Sequence, residues 1–127
     1  MEWHFNNDMP IYTQLVYQIK FAIVSGQLRP GERMTAVRDL AAEAGVNPNT
    51  MQRALQQLER DGLVYTQRSS GRFVTEDTCI IDEAKKALAK QYIDQFIDSM
   101  KNLGYTREEI MELLKGSCED DKNGNML

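Results

Sequence analysis

The chain opens with a strongly periodic apolar pattern. Ile11, Leu15, Ile19 and Ile23 recur every four residues. This spacing predicts an amphipathic helix over residues 10–25, with its apolar face against a core.

Two shorter helical patterns meet at Gly45, over residues 37–44 and 48–61. In the first, apolar residues stand at i, i+3, i+4 and i+7. Asn47 can cap the second through its side-chain oxygen, and Pro48 is preset for the first helical position. Two helices joined by a tight turn predict a helix-turn-helix, although two helices of an ordinary bundle would show the same pattern. The apolar side of the second helix carries Met51, Leu55 and Leu58.

The opposite face of this second helix is rich in amide and guanidinium groups. Such groups match the paired donors and acceptors of adenine and guanine edges in a major groove. The amino-terminal part of a recognition helix reaches the bases, so we expect DNA contacts there, from Asn47, Asn49, Thr50, Gln52 and Arg53. Gln56 and Gln57 fit simple surface solubility better.

Two β-prone runs follow Gly62 and are separated by a four-residue turn over residues 68–71. This predicts a hairpin, called the wing below and defined as residues 63–75. A surface hairpin with incidental arginines is the alternative. Residues 32–34 are expected to add a short strand to the wing. The wing residues expected to hold the DNA backbone or minor groove are Arg68, Ser69, Ser70, Gly71 and Arg72.

The order of these motifs resembles the winged helix-turn-helix of GntR-family transcription regulators, and most closely the YtrA-type subfamily. The resemblance implies a DNA-binding regulator and points to Arg38 as a further DNA contact. The matching segments are Pro10-Ile11-Tyr12-x-Gln14, Gly26-x-Leu28-x-Pro30-Gly31, Arg38-Asp39-Leu40-Ala41, Val46-Asn47-Pro48-Asn49-Thr50-x-x-Arg53-Ala54, Leu58-Glu59-x-x-Gly62-Leu63-Val64 and Gly71-x-Phe73-Val74.

The sequence departs from the family pattern in two places. Thr35-Ala36 replaces the usual Pro-Ser, so either Thr35 caps the next helix or that helix starts differently. In the wing, Ser69 replaces a glycine and Arg72 a threonine, which alters the geometry of the wing and raises its charge.

The C-terminal part predicts a long helix, because neither Gly nor Pro occurs between Ile80 and Leu103. Its apolar stripe has double width, which indicates a second partner. We expect that partner to be another copy of the chain, although a following helix could cover the stripe instead. The expected dimer residues are Leu88, Tyr92, Ile93, Phe96, Ile97 and Met100.

A short last helix is expected after a Thr106–Glu109 capping box and should end at Gly116. The fold class is therefore mainly α with a small β-hairpin (α+β). We expect a winged helix-turn-helix over residues 1–76, a helical dimerisation region over 77–116 and a flexible tail over 117–127.

Charge is distributed unevenly along the chain. The net charge is −4, yet residues 1–76 hold eight basic and eight acidic residues, so the acidic excess lies entirely in the C-terminal part. A neutral DNA-binding half predicts weak non-specific affinity, which two paired copies would offset. Without an apolar span or signal peptide, the expected location is the cytoplasm. Cys79 and Cys118 are expected to be free thiols.

The sequence offers little chemistry for catalysis. It has one histidine, no phosphate-binding glycine motif and no metal-ligand spacing, so we expect no enzyme activity, cofactor or metal. The leading hypothesis is a repressor that binds an inverted-repeat DNA operator as a homodimer. The alternatives are a regulator that responds to a small-molecule effector at the dimer or interdomain interface, and a winged helix used only for protein assembly.

Overall fold

The computed structural model describes residues 1–122 and contains, within them, five helices and one two-stranded sheet. This architecture confirms the predicted fold class. In chain order the elements are α1 (Ile11–Val24), α2 (Val37–Ala44), α3 (Pro48–Arg60), β1 (Val64–Gln67), β2 (Gly71–Val74), α4 (Thr78–Asn102) and α5 (Arg107–Lys122).

The core of the first compact unit, residues Met1–Lys86, forms mainly where α1 packs on α3. The fully buried side chains include Leu15, Ile19, Ile23, Met51, Leu55 and Leu58. The sequence indicated all six of these positions, and it also indicated one that is not buried. Ile11 was expected on the core face but is 37% exposed, because it is the first residue of α1 and lies at the end of the apolar stripe.

Gly45 ends α2 in the left-handed conformation, with φ of 71°. Its backbone N–H and that of Val46 are satisfied by carbonyls of the last turn of α2. A residue with a Cβ is disfavoured in this conformation. The turn lets α3 begin two residues later, at the Asn47 cap, and this confirms the predicted helix-turn-helix.

The wing is an antiparallel hairpin in which Tyr65 pairs with Phe73. On the side of β2 that does not face β1, the backbone of Arg33 forms an antiparallel bridge with that of Phe73. Next to it, the Met34 N–H donates to the Arg72 carbonyl at 2.8 Å. The predicted pairing of residues 32–34 with the wing is therefore confirmed, but as a single bridge at Arg33 and not as a strand.

The N-terminal segment is tied to α1 by two glutamine side chains. The Gln18 amide accepts from the His4 N–H at 3.1 Å and donates to the His4 carbonyl at 2.7 Å. Gln14 makes the same pair of bonds with Asn6 at 2.9 Å each. The aromatic residues of this segment, Trp3 and Phe5, pack against the core.

The chain divides into two compact units, Met1–Lys86 and a second that begins at Ala87. In the second unit, Thr106 and Glu109 form the predicted capping box: the Thr106 N–H donates to Glu109 Oε1 at 2.8 Å, and the Glu109 N–H donates to Thr106 Oγ1 at 3.2 Å.

The predicted helix end at Gly116 is wrong, since α5 continues to Lys122. An interior glycine costs a helix only about 1 kcal/mol relative to alanine, so it does not have to end one. The remainder of the predicted tail, residues 123–127, lies outside the described residues.

Candidate nucleic-acid interface

The amino end of α3, the recognition helix, is fixed by its cap. Asn47 Oδ1 accepts the Asn49 N–H at 2.7 Å, and Pro48 occupies the first helical position. The Asn47 side-chain oxygen, predicted to contact DNA, is used for this cap. Its clearest role in the structure is therefore to set where the recognition helix begins.

The outward face of α3 carries the other predicted base contacts. Asn49 and Arg53 are exposed, whereas Thr50 and Gln52 are half-buried. Asn49, Gln52 and Arg53 stand at i, i+3 and i+4, so they share one face of the helix. The buried residues of α3 lie on the other side, and this orientation leaves the amide and guanidinium groups facing outward.

Arg38 is exposed in the first turn of α2. This helix starts with Ala36 at the cap position and has no side-chain cap hydrogen bond. The suggestion that Thr35 caps the helix is therefore wrong, and the alternative of a different helix start holds. The backbone N–H groups at the amino end of α2 therefore have no capping side chain as an acceptor, and the exposed guanidinium of Arg38 belongs to the same turn.

The tip of the wing presents Arg68, Ser69 and Ser70 to solvent. Gly71 is half-buried, and a Cβ at that position would lie 3.2 Å from Arg33 Nε. Arg72 differs from the other wing residues that were predicted to hold the DNA backbone or minor groove. Its side chain is only 15% exposed and its Nε lies 3.5 Å from Glu59 Oε1, so in this structure it joins the wing to α3.

Arg33 is a candidate that the sequence interpretation missed. Its exposed side chain lies beside Gly71 and lines a cleft of about 530 Å³ between the start of α2 and the wing. The other lining residues include Thr35, Asp39 and Thr66. The predicted strand over residues 32–34 was the signal that could have found it, since pairing with the wing brings Arg33 to this surface.

Most of the arginines on this surface are unpaired. Among the side chains that the structure describes in residues 1–86, the arginine that forms an ion pair is Arg72, which pairs with Glu59. Guanidinium groups that form no ion pair are available to phosphate groups. The guanidinium groups left without an ion pair at this surface are those of Arg33, Arg38, Arg53 and Arg68.

The apolar stripe of α4 is largely exposed in the single chain. Tyr92, Ile93 and Phe96 are 44%, 56% and 40% exposed, and Ile97 and Met100 are half-buried. Leu88 was predicted to belong to this surface, but it is only 6% exposed. It is buried within its own chain and cannot form part of the exposed stripe.

Other functional chemistry is sparse in the described part of the chain. No helix there has both the length and the apolar character needed to cross a bilayer, and no group of His, Cys, Asp and Glu side chains could hold a metal ion. Cys79 and Cys118 are exposed free thiols, as predicted.

Two helices joined by a tight turn and followed by a hairpin, with the polar face of the second helix directed outward, define a winged helix-turn-helix protein. The family model for "Bacterial regulatory proteins, gntR family" matches residues 11–74. The chain is 40% identical over 119 residues to the HTH-type transcriptional regulator YhcF of Bacillus subtilis, a match that covers 94% of this chain and 98% of YhcF. It is 33% identical to the HTH-type transcriptional repressor YtrA of the same organism, in a match that covers 91% of this chain and 89% of YtrA.

Solved structures agree with these sequence matches. A GntR family transcriptional regulator from Listeria monocytogenes is 38% identical, with a TM-score of 0.80 over 88% of this chain and 98% of that one. The AraR DNA-binding domain in complex with operator ORX1 is 26% identical, with a TM-score of 0.54 over 59% of this chain and 96% of that one.

This chain belongs to the gntR family of bacterial regulatory proteins. The likeness to YhcF and YtrA, which extends over most of each chain, confirms the YtrA-type assignment. The protein is accordingly a DNA-binding transcriptional regulator and, as its family shows, not an enzyme.

Proposed function

We propose that the protein is a cytoplasmic repressor that binds an inverted-repeat operator as a homodimer. The observation that carries the proposal is the outward face of α3, where Asn49 and Arg53 stand exposed opposite a fully buried face. An α-helix with this arrangement fits a major groove, with its first turns at the base edges.

The arginines around α3 support the proposal through their positions. Arg38 lies at the start of α2, Arg68 lies at the tip of the wing, and Arg33 lies in the cleft between those elements. Phosphate contacts near a recognition helix fix its register without reading sequence. We assign base reading to α3 and backbone contacts to these three side chains.

The relatives support repression and operator binding. YtrA of Bacillus subtilis is named a transcriptional repressor, and the AraR DNA-binding domain was solved with an operator. Both functions are inferred for this chain from those likenesses. A bacterial repressor acts in the cytoplasm, where the chromosome lies.

Dimer formation is supported by the apolar side chains of the second unit. Ile93 and Phe96 are exposed on α4, and Met111 and Leu114 of α5 are 53% and 42% exposed. Large exposed apolar side chains on neighbouring turns of a helix are typical of protein–protein interfaces. A twofold pair would present two recognition helices to half-sites about 34–36 Å apart, or a multiple of that distance.

Selection from a pool of random DNA duplexes, at a stated salt concentration, tests this function. Bound duplexes are sequenced after several rounds, and a chain carrying Arg53→Ala serves as the matched control. The proposal expects enrichment of two inverted half-sites by the wild type and relaxed preference at one position of each half-site for the variant. A pool that stays random, or a single half-site without symmetry, would contradict it.

A further inference from the structure

Arg53 of the recognition helix rests on an aromatic ring of α1. Its Cζ lies 4.9 Å from the centroid of the Tyr12 ring. Tyr12 is half-buried, whereas Arg53 is exposed. An aromatic face attracts a guanidinium through a cation–π interaction, and a stacked guanidinium still points its N–H donors outward in its own plane.

The ring of Tyr12 is itself held in place. Its hydroxyl donates to Gln57 Oε1 at 3.2 Å, and the same oxygen accepts from Arg60 Nη2 at 2.8 Å. The Gln57 amide nitrogen donates to Asp61 Oδ1 at 3.0 Å. Tyr12 also packs against the hydrophobic core. The surface under Arg53 is therefore fixed both by packing and by hydrogen bonds.

We propose that Tyr12 is a positioning residue for DNA reading, which holds Arg53 in the orientation that contacts a base and is itself held by Gln57. This inference rests on the proposed function, because it assumes that Arg53 faces DNA. A free arginine side chain loses much rotamer freedom on binding. Because the Tyr12 ring already restricts the Arg53 side chain, less rotamer freedom is lost when Arg53 contacts a base. Removal of the ring should therefore weaken sequence-specific binding.

A purely structural role for Tyr12 makes a different prediction. Loss of packing between α1 and α3 would lower thermal stability and weaken binding to every duplex alike. Loss of Arg53 positioning instead weakens discrimination at the one base pair that Arg53 reads. Base preference is therefore the measurement that separates the two roles.

A double-mutant cycle tests the inference with wild type, Tyr12→Leu, Arg53→Ala and the double variant. Affinity is measured by fluorescence anisotropy on the selected operator and on operators substituted at each position. We expect Tyr12→Leu to weaken operator binding by up to about fivefold, which corresponds to the full strength of an exposed cation–π contact. It should relax preference at the same base pair as Arg53→Ala and add nothing once Arg53 is alanine.

Three further variants keep the test decisive. Tyr12→Phe retains the ring and should keep most of the discrimination. Tyr12→Met fills a similar volume without a ring, so it replaces Tyr12→Leu if that chain melts below the working temperature. Tyr17→Leu, a change on the same helix at a tyrosine that is 38% exposed, is the matched control and should leave base preference unchanged.

Additive losses in the cycle, or a Tyr12→Phe chain as unselective as Tyr12→Leu, would overturn the inference. Its failure is distinguishable from failure of the proposed function. A wild type that selects no duplex overturns the function, whereas a selective wild type with additive losses overturns only the role of Tyr12.

Discussion

Glu59 of α3 and Arg72 of the wing are joined directly, with Arg72 Nε 3.5 Å from Glu59 Oε1. The same carboxylate oxygen accepts a hydrogen bond from Thr66 Oγ1 at 2.9 Å. Both strands of the wing are therefore attached to the recognition helix at one atom. This attachment links the two elements that we propose to face DNA.

Glu59→Ala should loosen the wing. The change removes one partly exposed ion pair and one hydrogen bond, which together contribute about 1 kcal/mol to the free energy of unfolding. Urea denaturation measures this loss, and operator affinity should fall with it. Glu43→Ala, at an exposed glutamate of α2, is the matched control and should stay within about 0.5 kcal/mol of wild type. Equal stability of the two variants would contradict the attachment.

Ser69→Gly should stabilise the chain. Ser69 has φ of 64°, a conformation that costs a residue with a side chain about 1–2 kcal/mol. Glycine avoids this cost but loses more entropy on folding, about 0.4–1 kcal/mol, so the expected net gain is about 0.5–1 kcal/mol. Ser70 lies outside the left-handed region, and Ser70→Gly should therefore destabilise. Chemical denaturation of both variants checks the opposite signs; a shift in the same direction would refute the explanation.

Ile93→Lys should separate paired chains into single ones. Ile93 is 56% exposed in the single chain, so a lysine there does not disturb the fold but places a charge on the proposed interface. Sedimentation equilibrium should give twice the chain mass for wild type and the chain mass for the variant. Gln95→Lys adds the same charge two residues away, on the other side of α4, and should stay paired. An unchanged mass for Ile93→Lys would remove this stripe from the interface.

Arg53→Ala and Arg68→Ala should weaken DNA binding in different ways. Loss of a base contact by Arg53 should cost about 1–3 kcal/mol on the operator and relax preference at one position. Loss of a phosphate contact by Arg68 should weaken all duplexes alike and reduce the slope of log affinity against log salt by about one. Titrations at several salt concentrations separate the two effects, and interchanged behaviour would reverse our assignments.

The sequence predicts local elements well where one residue type has a specific conformational role. Asn47, Pro48 and Gly45 mark the turn between α2 and α3 because capping, fixed φ and positive φ each require few residue types. The capping box at Thr106 was readable for the same reason. The end of α5 was not, since a single glycine only weakens a helix and neighbouring residues decide whether it continues.

Contacts between elements distant in sequence were not predictable. The pairing of Arg72 with Glu59 and the position of Arg33 beside Gly71 depend on how the wing lies against α3 and α2. Likewise, Gln57 resembled a surface residue in the sequence, yet it accepts the Tyr12 hydroxyl from a helix 45 residues away. Residue spacing along a helix carries no information about such partners.

The stoichiometry on the selected operator is the most direct test of the central claim, which is that two paired chains read two half-sites. Native mass spectrometry of wild type with a duplex carrying both half-sites should show two chains per duplex. A duplex with one half-site scrambled should bind much more weakly at the same salt. One chain per duplex, with equal affinity for the two duplexes, would contradict the claim.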